Sequence, residues 1–503
     1  MISDRLFFEK SIQEAMPFAP TEAQLRAIHA LAMLTYTRKP QPTLIINGFA
    51  GTGKTALMNA FCTAMMKIGA DVVLMAPTGR AAKVLSGATG RSASTIHRTI
   101  YRQAAGGDGA SYDTQGDTRT DLTNKTFNLS GNNRANAVFV VDEASMIGNE
   151  RGMGLSAEGA LWGQGRLLED LIGFVFSQPG NKLVLIGDPD QLPPVGLAHS
   201  LALDKTYLES MGLTVGRVWL TDIVRQEEDS LILQNATKLR DLIDNEVAIT
   251  SLPEIITIEG SDVEELTGEN VIEKLESAFD EFGTQDTVVI TRSNKRATMY
   301  SMGIRSKILY MEELLVKGDL LVVTKNNYLW SEKANTSFIA NGDIVEVVSI
   351  NGYSEMYGLH FADVSVRLID RNDIDIDCKI LLDLLTADVP VVDEYSHTQQ
   401  TTSSAEILNK LQKGLEEDYE QSARRSTKRS RDFFKYDEWF NALQVRYAYS
   451  FTCHKAQGGQ WSAVFVDIGY VTDEMLDTLF VRWLYTAVSR ARKKLYFVNY
   501  KKQ

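Results

Sequence analysis

Short apolar runs punctuate the first part of the chain at regular intervals. Thr43-Leu44-Ile45-Ile46-Asn47, Val72-Val73-Leu74-Met75, Ala137-Val138-Phe139-Val140-Val141 and Lys182-Leu183-Val184-Leu185-Ile186-Gly187 are each of strand length and are followed by glycine, proline or charged residues. Such bounded runs predict strands. After the first of them, Ala56-Leu57-Met58-Asn59-Ala60-Phe61 is good helix material. The pattern changes beyond Gly318. Asp319–Thr324, Gly342–Val348, Val364–Leu368 and Ile374–Ile380 read as short strands separated by turns, a barrel-like rhythm, and a long polar stretch follows from about Asp393 to Asp437.

The junction after the first run carries chemistry. Gly48-Phe49-Ala50-Gly51-Thr52-Gly53-Lys54-Thr55 stands between predicted strand and predicted helix, the order that a P-loop requires. In such a loop Gly48, Gly51, Thr52 and Gly53 let backbone N–H groups turn toward phosphates. Lys54 adds a positive charge on the β/γ oxygens, and Thr55 offers a hydroxyl to Mg²⁺. ATP and Mg²⁺ are the expected cofactors. The third run ends in Asp142-Glu143-Ala144-Ser145, where Asp142 is placed to hold the metal and Glu143 to activate water. The fourth leads into Asp188-Pro189-Asp190-Gln191-Leu192-Pro193-Pro194-Val195. There the Gln191 amide is suited to reading the γ-phosphate.

Composition narrows the class. At 503 residues the chain suggests about three or four domains or subdomains. No apolar window approaches the ~18 residues of a membrane span, and the charged start Met1-Ile2-Ser3-Asp4-Arg5 does not read as a signal peptide, so a cytoplasmic protein without membrane partners is expected. Cys62, Cys378 and Cys453 are far apart and form no CxxC pair, which argues against a disulfide framework or a zinc site. The net charge of −13 argues against a protein that coats nucleic acid over its whole surface, though not against a local basic groove.

The P-loop, Ala76-Pro77-Thr78-Gly79-Arg80-Ala81-Ala82-Lys83-Val84-Leu85, Asp142-Glu143-Ala144-Ser145-Met146 and Gly187–Val195 resemble motifs I, Ia, II and III of superfamily 1B DNA helicases, most of all the RecD, Dda and Pif group. Leu220-Thr221-Asp222-Ile223-Val224-Arg225-Gln226 resembles motif IV, Thr452–Gly458 motif V, and Leu484–Arg492 motif VI. Phe18–Gln24 is similar to the family's Q-motif, with Gln24 reading the adenine edge; the same segment is also a sound helix start capped by Thr21.

The resemblance implies an α/β fold of two RecA-like P-loop lobes with parallel sheets and ATP in the cleft between them. The first lobe would hold residues 1–101 and 136–215, with a small wedge or pin insertion at 102–135. The second would hold 216–317 and 442–503, with an SH3-like β-barrel insertion and its polar extension at 318–441. Arg225 and Arg490 would reach the γ-phosphate from the second lobe, Gly458 would lie at the nucleotide, and Thr78, Arg80, Lys83, Thr95, His97, Thr452, His454 and Lys455 would contact DNA. Lys83 also fits a solvated helix face, and residues 102–135 equally suit a loop. The run Ala423–Arg431 carries five basic residues and reads either as a nucleic-acid contact or as a solvated helix face balanced by Glu416, Glu417, Asp418 and Glu420.

The implied activity is an ATP-dependent DNA helicase translocating 5′ to 3′ on single-stranded DNA. Alternatives are an RNA helicase of the same superfamily or a RecD-like motor subunit of a larger DNA-processing complex. Implied partners are single-stranded DNA and single/double-strand junctions, and proteins of DNA repair, recombination or replication; a monomer is expected.

Overall fold

The computed structural model describes residues 2–103, 126–149, 161–162, 166–222, 230–245, 247–327, 329–333, 339–369, 374–392, 399–425 and 437–500. The chain divides into two compact units, Met1–Glu228 and Asp229–Gln503.

In the first unit six strands form one sheet: β1 (Pro42–Gly48), β2 (Val72–Ala76), β3 (Ala93–Thr95), β4 (Val138–Val141), β5 (Lys182–Gly187) and β6 (Thr214–Leu220). Their order is β3-β2-β4-β5-β1-β6 and every pairing is parallel. β1, β4 and β5 are buried along their whole length, which is why they lack polar alternation in the sequence. On one face Leu44, Ile46, Val138, Val140, Val184 and Ile186 pack against Ala27, Ile28 and Leu31 of the helix Glu22–Tyr36 and Leu57, Met58 and Phe61 of the helix Lys54–Lys67. A reciprocal cap starts the former: Thr21 Oγ1 accepts from the Gln24 N–H, and Gln24 Oε1 accepts from the Thr21 N–H.

β6 corrects the expected boundary after residue 215. It is the edge strand of the first sheet, in register with β1 from Pro42↔Thr214 to Gly48↔Leu220, so a division at 215/216 would cut through a paired strand. Arg225, expected on the second lobe, belongs to the first unit's stretch of chain and lies outside the described residues. Of the region 102–135, Thr126–Leu129 is a strand paired antiparallel with Tyr101–Gln103. Gly106–Gly109, with the rest of 104–125, lies outside the described residues.

Among the described residues the second unit holds two five-stranded sheets and a two-stranded pair, Val391–Val392 with Gln399–Gln400. β7 (Val263–Leu266), β8 (Thr287–Thr291), β14 (Ser450–Thr452), β15 (Trp461–Asp467) and β16 (Ala491–Val498) form a parallel sheet of order β7-β16-β15-β8-β14. Between β8 and β14 the chain builds an antiparallel sheet from β9 (Leu320–Val323), β10 (Ile344–Met356), β11 (Leu359–Leu368), β12 (Ile374–Leu381) and β13 (Val445–Tyr447), in the order β12-β11-β10-β9-β13. It closes on itself: Leu443, just before β13, donates its N–H to Lys379 O at 2.6 Å and accepts from the Leu381 N–H at 3.1 Å. The expected limit at residue 441 is therefore short, because β13 is a strand of the inserted sheet.

The polar extension contains a helix, Ser404–Arg425, that lays Ile407, Leu411 and Leu415 on Leu359, Phe361 and Leu384. Ser426–Arg431 of the basic run lie outside the described residues. At the root of the insertion Arg305 makes two bonds to buried Asp319, at 2.7 and 2.8 Å, and its guanidinium stacks 4.3 Å from the Tyr447 ring centre.

Candidate nucleotide site and nucleic-acid contacts

The P-loop takes its shape from two glycines in the left-handed region, Gly51 and Gly53, both at φ 79°. Gly48 is closely approached as well, since a Cβ there would stand 3.0 Å from Lys54 Cγ and Thr52 Oγ1. Lys54 Nζ donates to Gly48 O at 2.6 Å and Phe49 O at 2.9 Å, which holds its charge over the loop. Buried Thr52 donates its hydroxyl to Phe49 O at 2.9 Å. Thr55 follows in the first turn of the helix, which has no acidic residue there to compete for its dipole.

Gln24 ties the P-loop to the start of its own helix. Its side chain is fully buried, its Nε2 donates to Thr52 O at 3.0 Å, and its Oε1 is engaged by the Thr21 N–H. It braces the P-loop from behind instead of presenting a free amide edge.

β4 ends beside the loop. Burial, and after it the neighbouring Glu143 charge, push the Asp142 carboxyl up to about 6, while the Lys54 ammonium and the Glu143 N–H, which donates to Asp142 Oδ1 at 2.9 Å, oppose the rise. Lys54 and Asp142 thus share one electrostatic environment. Glu143 itself sits at φ 52°, a left-handed conformation uncommon for a side chain of this kind, which turns it out of the strand direction. Among the described residues no cluster of three His, Cys, Asp or Glu is arranged for a metal. A hydroxyl and one carboxylate nevertheless fit Mg²⁺ carried in with a nucleotide, and a divalent cation is the charge that Asp142 lacks.

The loop after β5 runs against the turn after β4, since a Cβ on Gly187 would stand 3.0 Å from the Ser145 N. Asp188, Asp190 and Gln191 are buried there, and Asp188 Oδ1 accepts from the Asp190 N–H at 3.1 Å. Gln191 Oε1 is buried with no donor, as are Asn47 Oδ1 and Ser145 Oγ. Asn47 and Ser145 were not singled out from sequence. Asn47 is the amide that ends the apolar run before the P-loop, and that was the available signal.

β2 and β3 are neighbours, with Ala76 beside Thr95, so the segments carrying the first unit's expected DNA contacts come together. Thr78 and Thr95 are both helix caps, accepting from the Ala81 and Arg98 N–H groups at 3.2 Å. Arg80 is half-buried and Lys83 exposed. The His97 ring lies 5.7 Å from that of Tyr101, and burial pushes it down to about 4, so at neutral pH it carries no charge.

In the second unit Thr452 precedes the short helix Cys453–Ala456, and Gly458 ends the turn at φ 74°. His454 and Lys455 reach solvent. Lys455 is nonetheless closely surrounded: that desolvation, and secondly the charge of Arg446, push it down to about 8. Arg446, Asn294, Thr452 and Lys455 line one pocket, a grouping absent from the sequence motifs because β13 and the helix Asn294–Lys307 supply half of it. Arg490 is buried and turned inward, donating to Thr486 O, Gly459 O and Ser489 Oγ at 3.0, 3.3 and 2.9 Å. Within this unit it ties the helix Thr478–Val488 to the turn after Gly458.

A family model described as an AAA domain matches residues 32–197, and one described as a UvrD-like helicase C-terminal domain matches residues 447–498. The ATP-dependent RecD2 DNA helicase of Deinococcus radiodurans is 30% identical over 193 residues, 38% of this chain and 21% of that protein. The ATP-dependent DNA helicase dda of Enterobacteria phage T4 is 40% identical over 81 residues, 16% of this chain and 18% of that protein. Both family models and both relatives agree in kind: the chain is similar to DNA helicases of the RecD and Dda type. Its matches to these two proteins span about a fifth of their length. Among solved structures, a Pif1 helicase from Bacteroides in complex with ADP-AlF3 and ssDNA is 15% identical with a TM-score of 0.40, covering 95% of this chain and 92% of that one. Among the described residues no helix is long and apolar enough to cross a membrane.

Proposed function

We propose that the chain is an ATP-dependent DNA helicase that moves along single-stranded DNA, 5′ to 3′, and couples ATP hydrolysis to duplex unwinding. The observation that carries this reading is the convergence of Lys54, Thr55, Asp142 and Glu143 at one edge of a parallel sheet, with the Asp142 carboxyl and the Lys54 ammonium in one electrostatic environment. Similarity to two DNA helicases supports the choice of substrate.

In this reading Lys54 and the loop N–H groups bind the phosphates, and Thr55 and Asp142 hold Mg²⁺, which supplies charge neutralisation at the transferred phosphoryl group. Glu143 orients the attacking water and takes its proton. Gln191, with a buried oxygen lacking a donor, answers to the phosphate state, and Arg225 and Arg490 complete the response. Thr78, Arg80, Lys83, Thr95 and His97 of the first unit and Thr452, His454 and Lys455 of the second contact the strand. The protein works as a cytoplasmic monomer on single/double-strand junctions.

Strand displacement from forked, 5′-tailed and 3′-tailed duplexes, with and without ATP, tests the reading. ATP-dependent unwinding of the 5′-tailed and forked substrates is expected. Unwinding from the 3′ tail alone would overturn the polarity, and DNA-independent ATPase without unwinding would overturn the motor.

A further inference from the structure

The P-loop has an aromatic neighbour that none of the motifs contains. Trp219 lies on the edge strand β6, in register opposite Asn47 and so one position short of Gly48. Its ring centre is 6.1 Å from that of Phe49, the second residue of the loop, at an interplanar angle of 35°. Phe49 is 7% exposed and Trp219 41%. One side of the indole thus covers the loop, and the rest faces solvent at the end of the strand nearest the phosphate-binding turn.

The indole keeps part of its π-face in solvent, and the ligand bound next door brings a flat group. A nucleotide whose phosphates sit on Lys54 and the helix start carries its base one ribose away. The residue expected to recognise that base, Gln24, is occupied behind the loop by Thr52 O and the Thr21 N–H. The pair Trp219 and Phe49 offers what remains: an apolar ledge with a π-face, which takes any base and a purine best.

We propose that Trp219, backed by Phe49, is the platform on which the nucleobase of the bound nucleotide stacks. The inference rests on the ATP-site reading above and deepens it. Trp219 secures the base, while Gln24 and Lys54 secure the loop and the phosphates.

The test compares two ligands of equal phosphate length, ADP and inorganic pyrophosphate, both with Mg²⁺, by calorimetry on the full chain. Trp219→Leu keeps apolar packing on Phe49 but removes the π-face. It should weaken ADP about tenfold, within the range for loss of a base–aromatic stack, and leave pyrophosphate unchanged. Trp219→Phe should hold ADP within about threefold of the parent. Parallel weakening of ADP and pyrophosphate in Trp219→Leu would reduce Trp219 to a brace for the loop and overturn the proposal. So would unchanged ADP affinity. If the parent protein bound neither ligand, the ATP-site reading would fall and this inference with it.

Discussion

Gln24 and Thr52, 28 residues apart, are joined by a hydrogen bond of 3.0 Å from a fully buried side-chain amide to the carbonyl inside the P-loop. The same amide closes the cap of its own helix, so helix start and phosphate loop are fixed by one side chain. Replacement by Ala leaves Thr52 O without this donor, and an unmet buried acceptor costs about 1–3 kcal/mol. Gln24→Ala should therefore weaken ADP and pyrophosphate to the same degree, measured by calorimetry. A loss confined to ADP would restore the base-reading role.

Glu143→Gln should bind Mg-ATP and single-stranded DNA as the parent does while hydrolysis falls about 10²–10⁴-fold, because the amide keeps size and removes the base. The φ of 52° is unchanged by this substitution, so a folding defect is not expected. Steady-state ATPase at saturating DNA, set beside nucleotide affinity, separates the two effects. Near-parental turnover would remove Glu143 from the chemistry.

Burial and the Glu143 charge raise Asp142 from the ordinary carboxylate value to about 6. The unfolded chain releases this proton at lower pH than the folded one, so the group lowers stability as pH rises from about 4 through 6. Asp142→Asn should raise the nucleotide-free melting temperature by a few degrees at pH 7.5 and by much less at pH 4.5. In the parent, Mg²⁺-dependent nucleotide affinity should fall as pH drops below 6, where the carboxyl takes up its proton. Scanning calorimetry at both pH values, with and without Mg-ADP, reads both effects.

Lys455 is pushed down to about 8 by its surroundings and by Arg446. It is charged below that value and neutral above it. Affinity for oligo-dT should decline from pH 7 to pH 9, and Lys455→Arg, whose charge does not titrate there, should flatten the decline. Fluorescence anisotropy at fixed ionic strength reports it. An equal slope in both proteins would place Lys455 off the strand.

The fully buried strands were legible because burial on both faces removes polar residues from them, and the P-loop because its backbone demands glycine at Gly51 and Gly53. β6 was misassigned for the opposite reason. An edge strand that exposes Gly216, Arg217 and Trp219 has no apolar run, and its partner β1 lies more than 160 residues earlier. Among the described side chains of the helix Ser404–Arg425 only Ile407, Leu411 and Leu415 are buried, at four-residue spacing, in a stretch otherwise read as polar. The inward turn of Arg490 and the bond from Gln24 to Thr52 depend on backbone carbonyls, which no residue pattern announces.

The inserted sheet begins at β9 and ends at β13, and these two strands pair antiparallel from Leu321↔Tyr447 to Val323↔Val445. Its point of departure and point of return are therefore a single strand spacing apart, about 5 Å. A sheet closed by the Leu443 bridge and fastened at its root by Arg305 and Asp319 behaves as a cassette. Its loops can lengthen, shorten or be exchanged between lineages without moving any strand of the parallel sheet from which it springs.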